Sequence, residues 1–244
     1  MDKIDQWHLK RRGKFTASEN YKLLTPSKGA DMFGAGALSY IEKKAIEMTT
    51  KMWDRPELEE VKSLLHGKAH EYDGFCEYVK VTCNSGMQYF GEENPIFYPY
   101  EPFAEEAGGS PDCAFISITA DGDGKIDVGA EIKCPKDPAI HSKRLEWKDQ
   151  YDIRENYILA YTQMQTLLMC TGAFEWHFVS YDPRQIFKRD RVKIIAVKPD
   201  KNFQNNLEIR LKQAIRDKYK LISMRHRIQV TNRDEFNAAV ILAA

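Results

Sequence analysis

The stretch that most constrains this 244-residue chain runs from position 110 to 134. Ser110-Pro111-Asp112-Cys113-Ala114-Phe115-Ile116-Ser117-Ile118 reads as a strand, and Lys125 to Cys134 (KIDVGAEIKC) alternates apolar and polar positions. Between them Asp121-Gly122-Asp123-Gly124 supplies turn chemistry, so the segment predicts a β-hairpin. Glu131 and Lys133 are two residues apart and share one face of their strand. If the hairpin pairs as read, the Asp112 carboxylate approaches that face too. Two hard carboxylates beside a lysine suit a Mg²⁺ site that acts on phosphates. In such a site the carboxylates hold the metal, the metal acidifies a water, and the lysine orients or activates it. An acid followed by E-x-K also occurs on solvated hairpins, so this pattern alone does not decide between the two.

The surrounding elements follow from period and punctuation. Thr16 with Glu19 three residues on has the form of a capping box, which predicts a helix over 16–24. Further helices are expected over 36–50 and 57–83, separated by Trp53-Asp54-Arg55-Pro56, where the proline marks a break. Gly86 to Tyr100 is extended, with Pro95 and Pro99 limiting it to short edge-like pieces. Helix over 150–171, strands over 174–181 and 192–198, and a long amphipathic helix over 203–225 complete the pattern. The last carries Leu207, Leu211, Ile215, Tyr219 and Ile222 on one stripe. The expected fold class is α/β (α+β), a mixed central β-sheet flanked by helices, with no linker that would divide the chain into two domains.

Composition narrows the partners. Lys+Arg and Asp+Glu are equal at 36 each, which excludes a binder that works by bulk positive charge. The charge is nonetheless segregated. Residues 101–131 hold eight acids against one lysine, whereas 184–227 hold fourteen Lys+Arg against four acids, leaving an acidic centre and a basic flank. Five widely spread cysteines without a CxxC pair point to reduced thiols. No apolar run has the length of a membrane span or a signal peptide, so a soluble cytoplasmic protein is expected.

Other residues bear on the candidate metal site. Glu71, in Gly67-Lys68-Ala69-His70-Glu71 on a helix, is a third acid placed to complete it, although a lone helix carboxylate more often faces solvent. Gln163 and Gln165 interrupt an apolar helix, so one of them should hydrogen-bond something important. Lys10-Arg11-Arg12-Gly13-Lys14 runs into Thr16-Ala17-Ser18, placing basic side chains beside hydroxyls at an expected helix start, a candidate phosphate site.

Together these pieces resemble the phage lambda exonuclease family, also described as YqaJ-like viral recombinases, within the PD-(D/E)xK nuclease superfamily. In family order they are Trp7-His8 with Arg11, Gly13 and Thr16-Ala17-Ser18; Gly67-Lys68 with Glu71; Ser110-Pro111-Asp112; Glu131-Ile132-Lys133-Cys134-Pro135; Gln163-x-Gln165; and Tyr181-Asp182-Pro183-Arg184. They span residues 7–184, and the strand and helices of 185–244 fit by pattern alone. The resemblance implies a restriction-endonuclease-like fold in one nuclease domain over 1–244. It implies a Mg²⁺-dependent exonuclease, with Mn²⁺ able to substitute, that degrades one strand of duplex DNA from its 5′ end. Asp112, Glu131, the Ile132 carbonyl and Glu71 would be the metal ligands, Lys133 would orient or deprotonate the attacking water, and Gln163 would support them. Arg11 would grip the 5′-phosphate, with Thr16, Ser18 and Ser110 as lesser contacts. The implied assembly is a homotrimeric ring around DNA, working with a single-strand DNA annealing protein in recombination, encoded by a phage or prophage. The spacer DGDGKIDVG is longer than the compact hairpin of the family.

Two other readings start from the same residues: a site-specific endonuclease of the same superfamily, and a non-catalytic DNA-end-binding scaffold. His66 and His70 have zinc-pair spacing but no third soft ligand follows. The DGDG run lacks the glutamate that closes a calcium loop. Cys134 reads as a small packed residue, and Trp147, Trp176, Tyr157 and Tyr161 as core. Trp53 and Arg55 are candidates for a wedge that parts the duplex end.

Overall fold

The computed structural model describes residues 3–50, 62–91 and 94–242. Helix α1 (Lys3–Arg11) leads into a two-residue strand, β1 (Phe15–Thr16), and a 3₁₀ turn at Asn20–Leu24; α2 (Ala35–Thr49) and α3 (Lys62–Thr82) follow. Then come β2 (Met87–Tyr89), β3 (Tyr98–Pro99), β4 (Ala107–Gly109), β5 (Cys113–Ile118) and β6 (Gly124–Lys133). Helices α4 (Pro138–Leu145), α5 (Gln150–Asn156) and α6 (Ile158–Thr171) cross over to β7 (Glu175–Tyr181). After β8 (Val192–Val197) the chain ends in α7 (Lys201–His226) and α8 (Arg233–Leu242).

The hairpin is the antiparallel pair β5–β6, in register from Cys113 opposite Ala130 to Ile118 opposite Gly124. Its turn closes through Thr119, whose amide donates to the Asp123 carbonyl at 2.8 Å, and Gly122 takes the left-handed φ of +86° that the turn requires. A register shift between Phe115 and Ile116 accommodates one extra residue, Asp127, on β6. The hairpin sits inside a five-stranded sheet of order β2-β5-β6-β7-β8, in which β6 and β7 are parallel and the other neighbours antiparallel. A parallel neighbour needs a crossover, and α4, α5 and α6 supply it. A second, small sheet has the order β1-β4-β3.

Alternation on β6 assigns its two faces. Ala130 and Ile132 pack with Tyr78 of α3, Val179 and Tyr181 on one face. On the other, Trp176 and Phe178 of β7 join Met164 and Leu167 of α6 and Leu207 and Leu211 of α7 in the main core. A mixed sheet covered by helices on both faces is the expected fold class. Glu131 lies directly beside Phe178, on the α6 face, at the centre of the sheet. A central strand flanked on both edges removes nearly all water from a side chain at that position. On α7 the anticipated stripe holds: Leu207, Leu211, Tyr219 and Ile222 are buried.

Two expectations are corrected, and a third falls outside the described residues. The capping box at Thr16 and Glu19 does not form: Thr16 belongs to β1, Glu19 pairs with lysines, and residues 20–24 wind as a 3₁₀ turn. The hydroxyls of Thr16 and Ser18 therefore stand on a strand and the turn after it rather than at a helix start. The helix over 150–171 is two helices, broken at Tyr157 (φ −149°, ψ 60°), and α5 carries its own capping box of Asp149 and Asp152. Residues 57–61 of the expected third helix, and the Trp53–Arg55 wedge, lie outside the described residues.

Candidate active site

Glu131 and Lys133 end β6 on the face that looks toward α6, and the structure joins them as the strand period requires. Lys133 Nζ donates to Glu131 Oε1 at 2.5 Å and to Gln163 Oε1 at 3.4 Å. Asp112 stands just before β5, where its Oδ2 accepts the backbone N–H of Ile132 at 2.7 Å, and its charge acts on the Glu131 carboxyl. The Ile132 side chain is spent on the α3 face, so only its backbone turns toward this group. Glu71, on α3, accepts from the Tyr89 hydroxyl at 2.9 Å. Of the two glutamines, Gln163 reaches the site. Gln165 is committed to structure, donating to the Lys198 carbonyl and accepting from the Asp200 amide and from Gln204.

The electrostatics follow from burial. Glu131 is 1% exposed. Desolvation, and then the neighbouring Asp112 charge, push its carboxyl up to about 8 against the pull of Lys133. Glu71 is raised to about 7, first by burial and then by Asp112, against the Tyr89 hydrogen bond and Lys133. Asp112 is raised as well, by burial. Burial alone would lower Lys133, but Glu131 and Asp112 outweigh it and hold the ammonium charged. Three carboxylates thus surround the Lys133 ammonium in a poorly hydrated site, with Lys68 acting on Glu71 from the side. Burial also lifts the Cys134 thiol to about 12, ahead of contributions from Glu71 and Asp112, which keeps it a protonated, packed residue.

These donors fit a divalent cation of the hard kind. Glu131 Oε2 is buried and has no hydrogen-bond partner among the described residues. An orphaned carboxylate oxygen in such surroundings is costly unless a cation meets it. Among the described residues no three His, Cys, Asp or Glu side chains are gathered in a group that could hold a metal ion by themselves. An open set of one or two carboxylates completed by water and substrate oxygens is the habit of Mg²⁺.

The basic residues converge on the same place. A cleft of about 720 Å³ is lined by Arg11, Thr16, Ser18 and Ser110 together with Glu71, Asp112 and Gln163. The Arg11 guanidinium lies 4.1 Å from the centre of the Trp7 ring and 3.5 Å from Ser18 Oγ, and Trp7 Nε1 donates to Ser110 Oγ at 2.9 Å. Thr16 Oγ1 is buried without a partner among the described residues.

Sequence reasoning gave no role to Trp7 and missed Tyr89, Lys44 and Glu47, all of which line the cleft. A signal for two of them was present. Lys44 falls on the buried stripe of α2, with Ala37, Tyr40, Ile41 and Met48, and Glu47 follows it at i+3. A charged pair on an apolar helix face must be partnered inside the protein.

No protein-family model matches the sequence, and no curated protein matches it. Solved structures do. An alkaline exonuclease from Laribacter hongkongensis is 21% identical and superposes with a TM-score of 0.69 over 91% of this chain and 96% of that one. The same protein in complex with dAMP matches at 20% identity and a TM-score of 0.67, with the same coverage. A phage-related exonuclease from Haemophilus somnus 129PT is 16% identical, with a TM-score of 0.63 over 87% of this chain and 96% of that one. At these identities the likeness establishes the fold, which the order of motifs in the sequence had implied.

Proposed function

We propose that this chain, folded as those exonucleases are, is a Mg²⁺-dependent exonuclease that digests one strand of linear double-stranded DNA from its 5′ end and leaves a 3′ single strand. The observation that carries the reading is the union, in one cleft, of the Arg11 group with Glu71, Asp112 and Gln163, beside the buried Glu131–Lys133 pair. Asp112, Glu131, the Ile132 carbonyl and Glu71 are the groups that would hold the metal, and Mn²⁺ is expected to substitute. When bound, Mg²⁺ supplies positive charge to the phosphate oxygens and lowers the pKa of water beside it.

The chain's own residues do the rest. Lys133, kept protonated by its two acid neighbours, donates hydrogen bonds that orient the attacking water and offset charge growing on the phosphate. Gln163 accepts a second hydrogen bond from the lysine head. Arg11 presents a guanidinium to the terminal 5′-phosphate, and the hydroxyls of Thr16, Ser18 and Ser110 offer further hydrogen bonds to it. Trp7 holds that guanidinium flat and keeps Ser110 in register. The anchored terminus sets which phosphodiester lies over the acids, which favours stepwise removal from an end over internal cutting. The sequence resemblance extends the proposal to a homotrimeric ring on DNA in the cytoplasm of a bacterial host. It also extends it to a single-strand annealing protein that receives the 3′ strand for recombination. No helix of the described residues is long and apolar enough to cross a membrane.

The test is incubation with Mg²⁺ and two duplexes of matched sequence, one linear and one covalently closed. Loss of the linear molecule alone is the expected result. Cutting of the circle would mean an endonuclease, and end binding without loss of either a scaffold.

A further inference from the structure

The loop that carries Arg11 into the cleft is held from beneath by a charged network outside the reacting groups. Gly13 turns the chain from α1 into β1 at φ +70°, and a Cβ there would lie 2.4 Å from Met48 Cγ. Both polar atoms of its peptide are taken by buried side chains. The Gly13 N–H donates to Glu47 Oε2 of α2 at 2.9 Å, and its carbonyl accepts from Lys218 Nζ of α7 at 2.9 Å. Glu47 is 4% exposed and Lys218 is fully buried. Each is braced in turn: Lys44 donates to both Glu47 oxygens at 3.1 Å, and Lys218 is ion-paired to Glu106, which also accepts from Tyr219. The Glu106 backbone carbonyl accepts from Phe15 N at 2.7 Å, so the same residue grips β1 as well. Arg12, next to Gly13, donates to the Glu47 carbonyl at 2.6 Å.

A buried ion network of this kind contributes little net stability, since apolar residues of the same volume often serve as well or better. What directed hydrogen bonds add is a fixed position. The peptide they fix lies two residues from Arg11 and three from Thr16. We infer that Glu47 and Lys218 are positioning residues that clamp the Gly13 peptide and so set the aim of Arg11 and Thr16 at the terminal phosphate. They determine preference for a phosphorylated end through the Gly13 peptide, Lys218 from outside the cleft and Glu47 from its lining. The inference rests on the reading of Arg11 as the phosphate anchor.

The test compares kcat and KM of the full-length protein, with Mg²⁺, on linear duplexes bearing a 5′-phosphate or a 5′-hydroxyl. The unaltered protein is expected to favour the phosphorylated end. Lys218→Met removes the donor while keeping the bulk, and is expected to cut that preference roughly tenfold. The loss should appear in KM for the phosphorylated duplex, while the rate on hydroxyl ends stays as before. A purely structural role would lower both rates together, and that result, or an unchanged preference, overturns the clamp. Should Lys218→Met lack a cooperative melting transition, Glu47→Gln, which weakens the acceptor with no change of shape, is judged by the same loss of preference. If the unaltered protein shows no preference, the phosphate anchor itself fails; if it does and both folded variants keep it, only the clamp fails.

Discussion

The two ends of the cleft handle buried charge in opposite ways. At the hairpin, Glu71, Asp112 and Glu131 gather around Lys133, with Lys68 acting on Glu71; all three carboxyls are driven upward by burial, and Glu71 and Glu131 by the Asp112 charge as well. At the N-terminal end each acid is matched. Burial alone would raise Glu19, but Lys44, Lys22 and Lys43 override it and hold that carboxyl at about 2. Glu47 is bracketed by Lys44 and the Gly13 amide. The difference separates two tasks. A compensated cluster is a rigid support, complete as it stands, whereas an uncompensated one is poised for a cation that the chain itself does not supply.

The largest expected effect breaks the uncompensated end. Lys133→Ala should lower cleavage of linear duplex by roughly a thousandfold. Binding of DNA ends, measured by fluorescence anisotropy, should stay nearly unchanged, because Arg11 and its neighbours are intact. A fully active variant would remove Lys133 from the mechanism.

A smaller effect sharpens the comparison through pH. Glu131 has a folded pKa above its unfolded value, so its contribution to stability is fully present below about 4.5 and is lost as pH rises through about 8. Glu19 is the reverse: its contribution is present above about 4.5 and is lost as pH falls through about 2. In metal-free protein at pH 9, Glu131→Gln should therefore raise the melting temperature. Glu19→Gln at pH 7 should lower stability by about 1 kcal/mol, with the difference vanishing near pH 2. Thermal melts across pH check both, and shifts of the same sign would erase the distinction between the two ends.

The reacting end was the more legible of the two in sequence, for a physical reason. Strand alternation is strict, so Glu131 and Lys133 had to share a face, and the DGDG turn set their hairpin. The N-terminal end rests on β1 and β3, two residues each, and on the glycine-rich β4, which are too short to show a period. There a local rule misled: Thr16 and Glu19 have the spacing of a capping box, but Glu19 gains more from three lysines than from a backbone N–H. The break at Tyr157 has neither glycine nor proline to announce it. Helix α4 was announced, by Asp137 as N-cap with Pro138 at the first position, and could have been read. The Gly13 clamp unites residues 13, 47, 106 and 218, a contact of four distant segments that no local pattern encodes.

The central claim, that the acidic end of the cleft is built to receive a divalent cation, is tested most directly by calorimetric titration with Mg²⁺ at pH 7.5. The titration is run in two buffers of different ionisation enthalpy. Carboxyls raised to about 7 and about 8 are partly protonated there, so binding should release protons, and the apparent enthalpy should differ between the buffers. Glu131→Gln should abolish most of that binding. Saturable Mg²⁺ binding without proton release, or binding unaffected by Glu131→Gln, would contradict the account.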